Sequence, residues 1–302
     1  MPSQESQAME ALYRRLNDLL ASPGISPDIF GLIMEETATV SAEPTDVTYD
    51  EVQCPGTVRP AIWCKPLSAS PSRVILYIHG GGFTGGSPAC HRKLAAHLAK
   101  RAGCHAIVID YRRSPEHQFP KQIDDVLATY DWLVNKRGIA SKQIAFAGDS
   151  AGANLTVAVS LAARNRGLEV PASIIAFSPW IDMKLTSTTY QTHAHTDALV
   201  VQEAMQGLVG AYVGDASLDE PLIDLIHADL KGLPPMYITA GTAEVLQDDA
   251  TRLADNARSA GVEVHVELVK DMQHVWVFMA GNAPEADSSL ARAAAFIHSK
   301  FK

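Results

Sequence analysis

The strongest chemical signal in this sequence is the pentapeptide GDSAG at residues 148–152, a G-x-S-x-G pattern. It follows an apolar run typical of a buried strand and precedes a run with helical spacing. A serine on such a tight strand-to-helix turn projects its hydroxyl above the sheet, and glycines at Gly148 and Gly152 let the backbone make the turn. The pattern predicts that Ser150 is a nucleophile rather than a structural turn serine.

A second signal is HGGGF at residues 79–83, directly after another apolar run. Consecutive glycines cost chain entropy and contribute no side-chain packing, so their expected use is to present backbone N–H groups to an anion. Acyl transfer passes through a tetrahedral oxyanion, and HGGG-type loops supply donors to it in lipases and esterases. We expect Gly81, Gly82 and Ala151 to provide these donors. A phosphate-binding loop is disfavoured because the G-K-[ST] ending is absent.

A serine nucleophile needs a base, and the base needs an orienting acid, in the chain order Ser, Asp/Glu, His for this kind of turn. His274 stands in a loop after a predicted strand and is the best candidate base, with His227 as the alternative. Glu244 follows the preceding predicted strand and is the favoured acid. Asp248 stays open as an alternative, although an acid one turn later suits the first turn of a helix.

Strand and helix patterns alternate along most of the chain, which is typical of an α/β protein. The predicted strands cover residues 47–52, 58–64, 73–79, 105–110, 143–147, 173–178, 235–240 and 263–269. The predicted helices cover residues 88–101, 121–136, 151–165, 247–260 and 285–300. Most of the strand runs are continuously apolar, so we expect a parallel sheet covered by helices on both faces, with the ligand site at the carboxyl ends of the strands.

Two segments fall outside this alternation. An amphipathic helix is expected near the N-terminus, ending before Pro23. Residues 181–225 interrupt the alternation after a strand, where an insertion would lie on the ligand edge. We therefore expect an N-terminal cap segment over residues 1–44 and a catalytic domain over residues 45–302, with 181–225 contributing to the cap.

Five motifs, in this order, resemble those of the hormone-sensitive-lipase-type esterases, the bacterial HGGG/GDSAG branch of the α/β-hydrolases: HGGGF at 79–83, DYRRSPEHQFP at 110–120, GDSAG at 148–152, SPWID at 178–182 and DMQHVW at 271–276. The resemblance implies an α/β-hydrolase fold with a mostly parallel eight-stranded sheet and a helical cap. It implies Ser150 as nucleophile, His274 as base, and Glu244 where the family usually has Asp. It also implies a small ester substrate and points to a homodimer.

The expected function is hydrolysis of short- to medium-chain carboxylic esters through an acyl-enzyme intermediate. A lactone hydrolase would use the same triad. A non-catalytic receptor for a small ligand on the same fold would lack a working base, so the presence of His274 favours the enzyme. Phe83, Trp180 and Trp276 are candidates for the acyl pocket, or else serve as core and rim packing.

Composition excludes several other classes of protein. The 302 residues carry a formal charge of -9, which argues against a nucleic-acid partner because phosphate binding needs clustered Lys and Arg. The four cysteines form no CxxC pair and are expected to be free thiols. His193 and His195 lack nearby Cys or Glu partners, so we expect no metal site and no cofactor. The sequence has no signal peptide and no apolar run long enough for a membrane span, so we expect a cytoplasmic protein.

Overall fold

One mixed sheet of eight strands forms the centre of the computed structural model, which describes residues 1–22 and 24–302. The strands are β1 (Val47–Val52), β2 (Ala61–Pro66), β3 (Ser70–Ile78), β4 (Cys104–Val108), β5 (Ile144–Asp149), β6 (Ser173–Phe177), β7 (Met236–Gly241) and β8 (Val264–Val269). Their order across the sheet is β1-β2-β4-β3-β5-β6-β7-β8. Strands β1 and β2 run antiparallel to their neighbours, and all other pairs are parallel. The predicted mostly parallel eight-stranded sheet is confirmed.

Within the described ranges, α-helices flank this sheet and connect its parallel strands. They are α1 (Gln4–Leu20), α2 (Pro27–Glu35), α3 (Pro88–Ala102), α4 (Lys121–Asn135), α5 (Ala151–Asn165), α6 (Thr189–Thr192), α7 (Gln202–Val213), α8 (Gln247–Ser259) and α9 (Pro284–Lys300). The five predicted helices agree with α3, α4, α5, α8 and α9 to within two residues at each end. Pro23, the predicted stop after the first helix, lies outside the described residues.

Burial along the strands explains why their apolar sequence pattern predicted them. Every residue of β5, β6 and β7 is buried, as expected for central strands covered on both faces, and their sequences are accordingly mostly apolar. Strand β3 sends Val74 and Leu76 to one apolar layer and Ile75 and Tyr77 to the other. The first layer packs against α4, α5 and α8, and the second against α1, α3 and α9.

The carboxyl ends of β5, β7 and β8 lead into the loops that carry Ser150, Glu244 and His274. Because parallel strands end at the same edge, these loops lie side by side. Helix α1 buries one face, including Met9, Tyr13 and Leu16, beside this region. No helix in the described part of the chain has both the length and the apolar character needed to cross a bilayer.

Candidate active site

Ser150 occupies a strained turn between β5 and α5. Its φ of 53° and ψ of -121° lie outside the regions that a serine normally adopts. The turn is held by three backbone hydrogen bonds: Ser150 N–H donates to Phe177 at 2.9 Å, and Ser150 C=O accepts from Trp180 and Asn154 at 3.2 Å each. A sheet strand, a helix and the following loop thus fix one backbone conformation, which holds the hydroxyl at the strand-to-helix turn.

Close packing explains the glycine at position 152. A Cβ added to Gly152 would lie 2.0 Å from the carbonyl oxygen of Ile78, a backbone atom of β3 that has no room to move. A Cβ on Gly148 would lie 2.6 Å from the carbonyl carbon of Gly152. The glycines of GDSAG are therefore required by the approach of α5 to the sheet, as the sequence pattern predicts.

The glycine loop after β3 lines the same cavity as Ser150. Gly81 and Gly82 have φ values of 107° and 62°, a region that favours glycine. The loop closes on itself through hydrogen bonds from the N–H groups of Thr84 and Gly85 to the carbonyl of Gly81, at 3.1 and 2.7 Å. Within the described residues, the N–H groups of Gly81, Gly82 and Ala151 donate to no other group of the protein. They are available to an anion.

His79, which begins the glycine motif, is a buried and uncharged histidine that packs beside the loop. Its Nδ1 lies 2.8 Å from the Gly80 carbonyl, and its ring stacks on Tyr111 with centroids 4.3 Å apart. The Tyr111 hydroxyl donates to the His79 carbonyl at 2.9 Å. Burial lowers the pKa of His79 well below its ordinary value, with a further lowering by Arg113, so this histidine carries no charge.

Glu244 and His274 form a buried acid–base pair. The Nδ1 of His274 lies 2.7 Å from Oε2 of Glu244, and the two residues are 5% and 0% exposed. A carboxylate only accepts, so Nδ1 carries the proton and Nε2 keeps its lone pair as a base. The other oxygen of Glu244 accepts from the N–H of Gly241 at 2.5 Å and from the hydroxyl of Ser178 at 2.9 Å.

The surroundings of this pair shift the pKa values of both groups. Burial alone lowers the pKa of His274, but the hydrogen bond to Glu244 and the negative charges of Glu244, Asp197 and Asp149 outweigh it, so the pKa is raised above 6.5. Burial raises the pKa of Glu244, and His274 opposes that rise. A histidine with a raised pKa is a stronger base, which suits removal of a hydroxyl proton.

The alternatives that the sequence left open lie elsewhere. Asp248 stands in the first turn of α8, where it accepts from the N–H of Thr188 at 3.0 Å. His227 pairs with Asp224 at 2.8 Å and is mostly exposed. Neither contacts His274. No group of three His, Cys, Asp or Glu residues in the described part of the chain is placed to hold a metal ion.

Ser150, His274, Gly81 and Gly82 line one cavity of about 100 Å³. No hydrogen bond joins Ser150 to His274 among the described residues; such bonds are often long in free enzymes and tighten when substrate binds. Half of the other wall residues are apolar and come from the N-terminal segment and the 181–225 segment: Leu20, Phe30, Met34, Leu199, Val200, Val201, Ala204, Met205 and Leu208.

Of the three aromatic candidates for the substrate pocket, only Trp180 lines this cavity. Phe83 is fully buried and stacks on Tyr212 with centroids 3.7 Å apart, so its ring serves packing. Trp276 is 1% exposed and belongs to the apolar layer on the α1, α3 and α9 side of the sheet. The structure thus corrects the expected positions of Phe83 and Trp276, because neighbouring rings and helices cover both side chains.

Sequence reasoning missed Ser178. Its hydroxyl donates to Glu244 and accepts from the N–H of Val275 at 3.0 Å, so it contacts the loops of both Glu244 and His274. The residue opens the SPWID motif directly after β6, which was the available signal. Leu208 of α7 was also not predicted from the sequence. Its Cδ1 would lie 2.7 Å from a Cβ on Gly82, so this side chain covers the glycine loop.

The chain resembles known proteins in both sequence and fold. Residues 75–278 match the model of a protein family described as having the alpha/beta hydrolase fold. The chain belongs to this family.

Within the α/β-hydrolase family, the chain is 34% identical over 274 residues to an acetyl-hydrolase of Streptomyces hygroscopicus, covering 86% of this chain and 91% of that one. It is 37% identical over 229 residues to an esterase of Acinetobacter venetianus, covering 76% and 75%. A crystal structure of an esterase from the bacterial hormone-sensitive lipase family superposes with a TM-score of 0.94 at 34% identity over the whole of both chains. The resemblance inferred from the motifs is confirmed.

Proposed function

We propose that this protein is a carboxylesterase that uses Ser150, His274 and Glu244 as a catalytic triad. The observation that carries the proposal is the 2.7 Å contact between Glu244 and His274, because His274 lines the same cavity as Ser150. A receptor that only binds its ligand has no use for a buried, oriented base beside a strained serine. The esterase and acetyl-hydrolase relatives support the same reaction.

In the proposed reaction, Nε2 of His274 takes the proton of Ser150 as the serine oxygen attacks the ester carbonyl. The N–H groups of Gly81, Gly82 and Ala151 stabilise the oxyanion, and each such donor typically contributes about 2.7–4 kcal/mol. His274 then returns the proton to the leaving alcohol. Water, activated by the same base, releases the acid and restores the serine. Glu244 keeps its charge and holds the imidazole in the required tautomer.

We further infer that the substrates carry short- to medium-chain acyl groups, and the cavity is the observation that supports this. Its volume of about 100 Å³ is modest, and its walls are mainly aliphatic, which favours an uncharged acyl chain. We further propose that residues 1–44 and 181–225 act together as the cap. Both segments contribute wall residues above the sheet edge, for example Phe30 and Met34 from the first and Met205 and Leu208 from the second.

Hydrolysis of p-nitrophenyl esters of graded chain length tests the proposal, with a lactone series assayed beside it. The wild-type protein should prefer short acids, and Ser150→Ala should lose about 10⁶ in kcat. Equal activity in the two proteins would contradict the serine mechanism. Turnover of lactones with little turnover of open esters would assign the same site to the lactone hydrolases.

A further inference from the structure

Asp197 is a buried carboxylate beside the proposed triad that the mechanism above does not use. It lies in the 181–225 segment and is 5% exposed. One of its oxygens accepts from the N–H groups of Leu199 and Val200 at 2.9 and 2.8 Å. The other accepts from the N–H of Val245 at 2.9 Å. All three partners are donors, so they satisfy the group as an anion.

The contact with Val245 places this anion next to the proposed acid, because Val245 directly follows Glu244 in the chain. The residue on the other side of Glu244 is held by the same segment: the hydroxyl of Thr196 donates to the Ala243 carbonyl at 2.9 Å. The backbone on both sides of Glu244 is therefore anchored to residues 196–197.

The loop of the base is tied to the same segment. The side chain of Gln273, which precedes His274, accepts from the N–H of Ala198 at 2.8 Å and donates to the carbonyl of Thr196 at 2.9 Å. Residues 196–198 thus bridge the acid loop and the base loop. These loops follow different strands, and Glu244 and His274 are 30 residues apart in the chain.

We propose that Asp197 is a positioning residue for the triad: its carboxylate holds the loop of Glu244 through Val245 and places a second buried negative charge next to the loop that carries the partner of His274. The proposal rests on the proposed function. In a serine mechanism the imidazole becomes positively charged in the transition state, so a second fixed negative charge nearby lowers the barrier.

The charged and titratable groups around this pair come from several elements. His274 contacts Glu244, and the negative charges of Asp197 and of Asp149, at the end of β5, also act on it and raise its pKa. Tyr13 of α1 stands among the same carboxylates, and burial raises its pKa well above the ordinary value, so it stays neutral. Of these carboxylates, Asp197 is contributed by the 181–225 segment, Asp149 by the end of β5 and Glu244 by the loop after β7.

The charge is tested with Asp197→Asn, which preserves size. Because only one atom of the amide accepts hydrogen bonds, at least one of the N–H contacts is lost. We expect kcat on a p-nitrophenyl ester to fall by about tenfold to 10²-fold with little change in KM. We also expect the acid limb of the kcat/KM profile to move to lower pH, because removing a negative charge lowers the pKa of His274.

Two further variants separate charge from geometry. Asp197→Glu keeps the charge but displaces its oxygens, so kcat should fall while the acid limb stays in place. Thr196→Val removes the neighbouring hydrogen bond to Ala243 without changing charge, and its acid limb should also match the wild type. A folded Asp197→Asn protein with wild-type kcat and acid limb would overturn the proposal, as would an equal shift in Thr196→Val.

If Asp197→Asn does not fold, Asp197→Glu tests the proposal instead. A wild-type kcat in Asp197→Glu would exclude a positioning role for Asp197. Failure of the proposed function has a different signature. It appears as absent ester hydrolysis in the wild-type protein, or as activity that survives Ser150→Ala, before any variant at position 197 is compared.

Discussion

The hydroxyl of Ser178 donates a 2.9 Å hydrogen bond to the carboxylate of Glu244. The Ser178 hydroxyl oxygen also accepts a 3.0 Å hydrogen bond from the N–H of Val275, the residue after His274. One buried side chain therefore joins the end of β6 to both loops of the proposed acid–base pair. Its removal should affect activity and stability together.

For Ser178→Ala, we expect the free energy of unfolding to fall by about 1.5–3 kcal/mol, because a buried hydrogen bond to a charged group is lost. We expect kcat to fall as well, since Glu244 is less firmly held. Denaturant titration and ester kinetics measure the two effects. Ser160→Ala is a matched control, because this buried hydroxyl of α5 donates to the Thr156 carbonyl at 2.8 Å, within its own helix. Loss of kcat in the control would contradict the local explanation.

The identity of the triad acid can be tested by comparing two carboxylates four residues apart. Glu244→Ala should lower kcat by about 10⁴-fold, because the imidazole loses its orienting partner. Asp248→Ala should leave kcat close to wild type, because Asp248 contacts Thr188 rather than His274. Steady-state kinetics on one p-nitrophenyl ester suffice. The opposite ranking would transfer the role to Asp248.

The raised pKa of His274 predicts the pH dependence of the reaction. The base works only when neutral, so kcat/KM should decline as pH falls through this pKa, and the midpoint of the acid limb should lie above 6.5. Initial rates with an uncharged ester, measured across the neutral range, give this midpoint. A midpoint well below 6.5 would show that the carboxylates do not act on His274 as the structure implies.

Two glycine substitutions in helices should have opposite effects on stability. Gly152→Ala brings a methyl group to 2.0 Å from a backbone oxygen of β3, so we expect a loss of more than about 3 kcal/mol in the free energy of unfolding or no folded protein. Gly210→Ala in α7 meets nothing within 4 Å and should stabilise the protein by about 0.5–1 kcal/mol. Chemical denaturation compares them, and similar stability of the two variants would refute the packing argument.

Much of the architecture could be predicted from the sequence because each signal was local. The runs that became β5, β6 and β7 are mostly apolar because both faces of those strands are covered. The aromatic residues of the cavity wall were harder to predict from the sequence. Phe83 and Trp276 have the residue types of a binding pocket, but stacking on Tyr212 and burial in the core decide their positions. Aromatic residues dominate both settings, so residue type alone does not separate them.

The sequence by itself determined the kind of chemistry and the elements that present it, since GDSAG and HGGGF are short motifs whose backbone demands are met within a few residues. Only the tertiary structure decided that Glu244 rather than Asp248 contacts His274, and that Ser178 and the Asp197 segment bridge their loops. The physical reason is that these contacts join residues 30 to 97 positions apart. Their distances depend on how separate strand ends and an inserted segment pack, which no local pattern encodes.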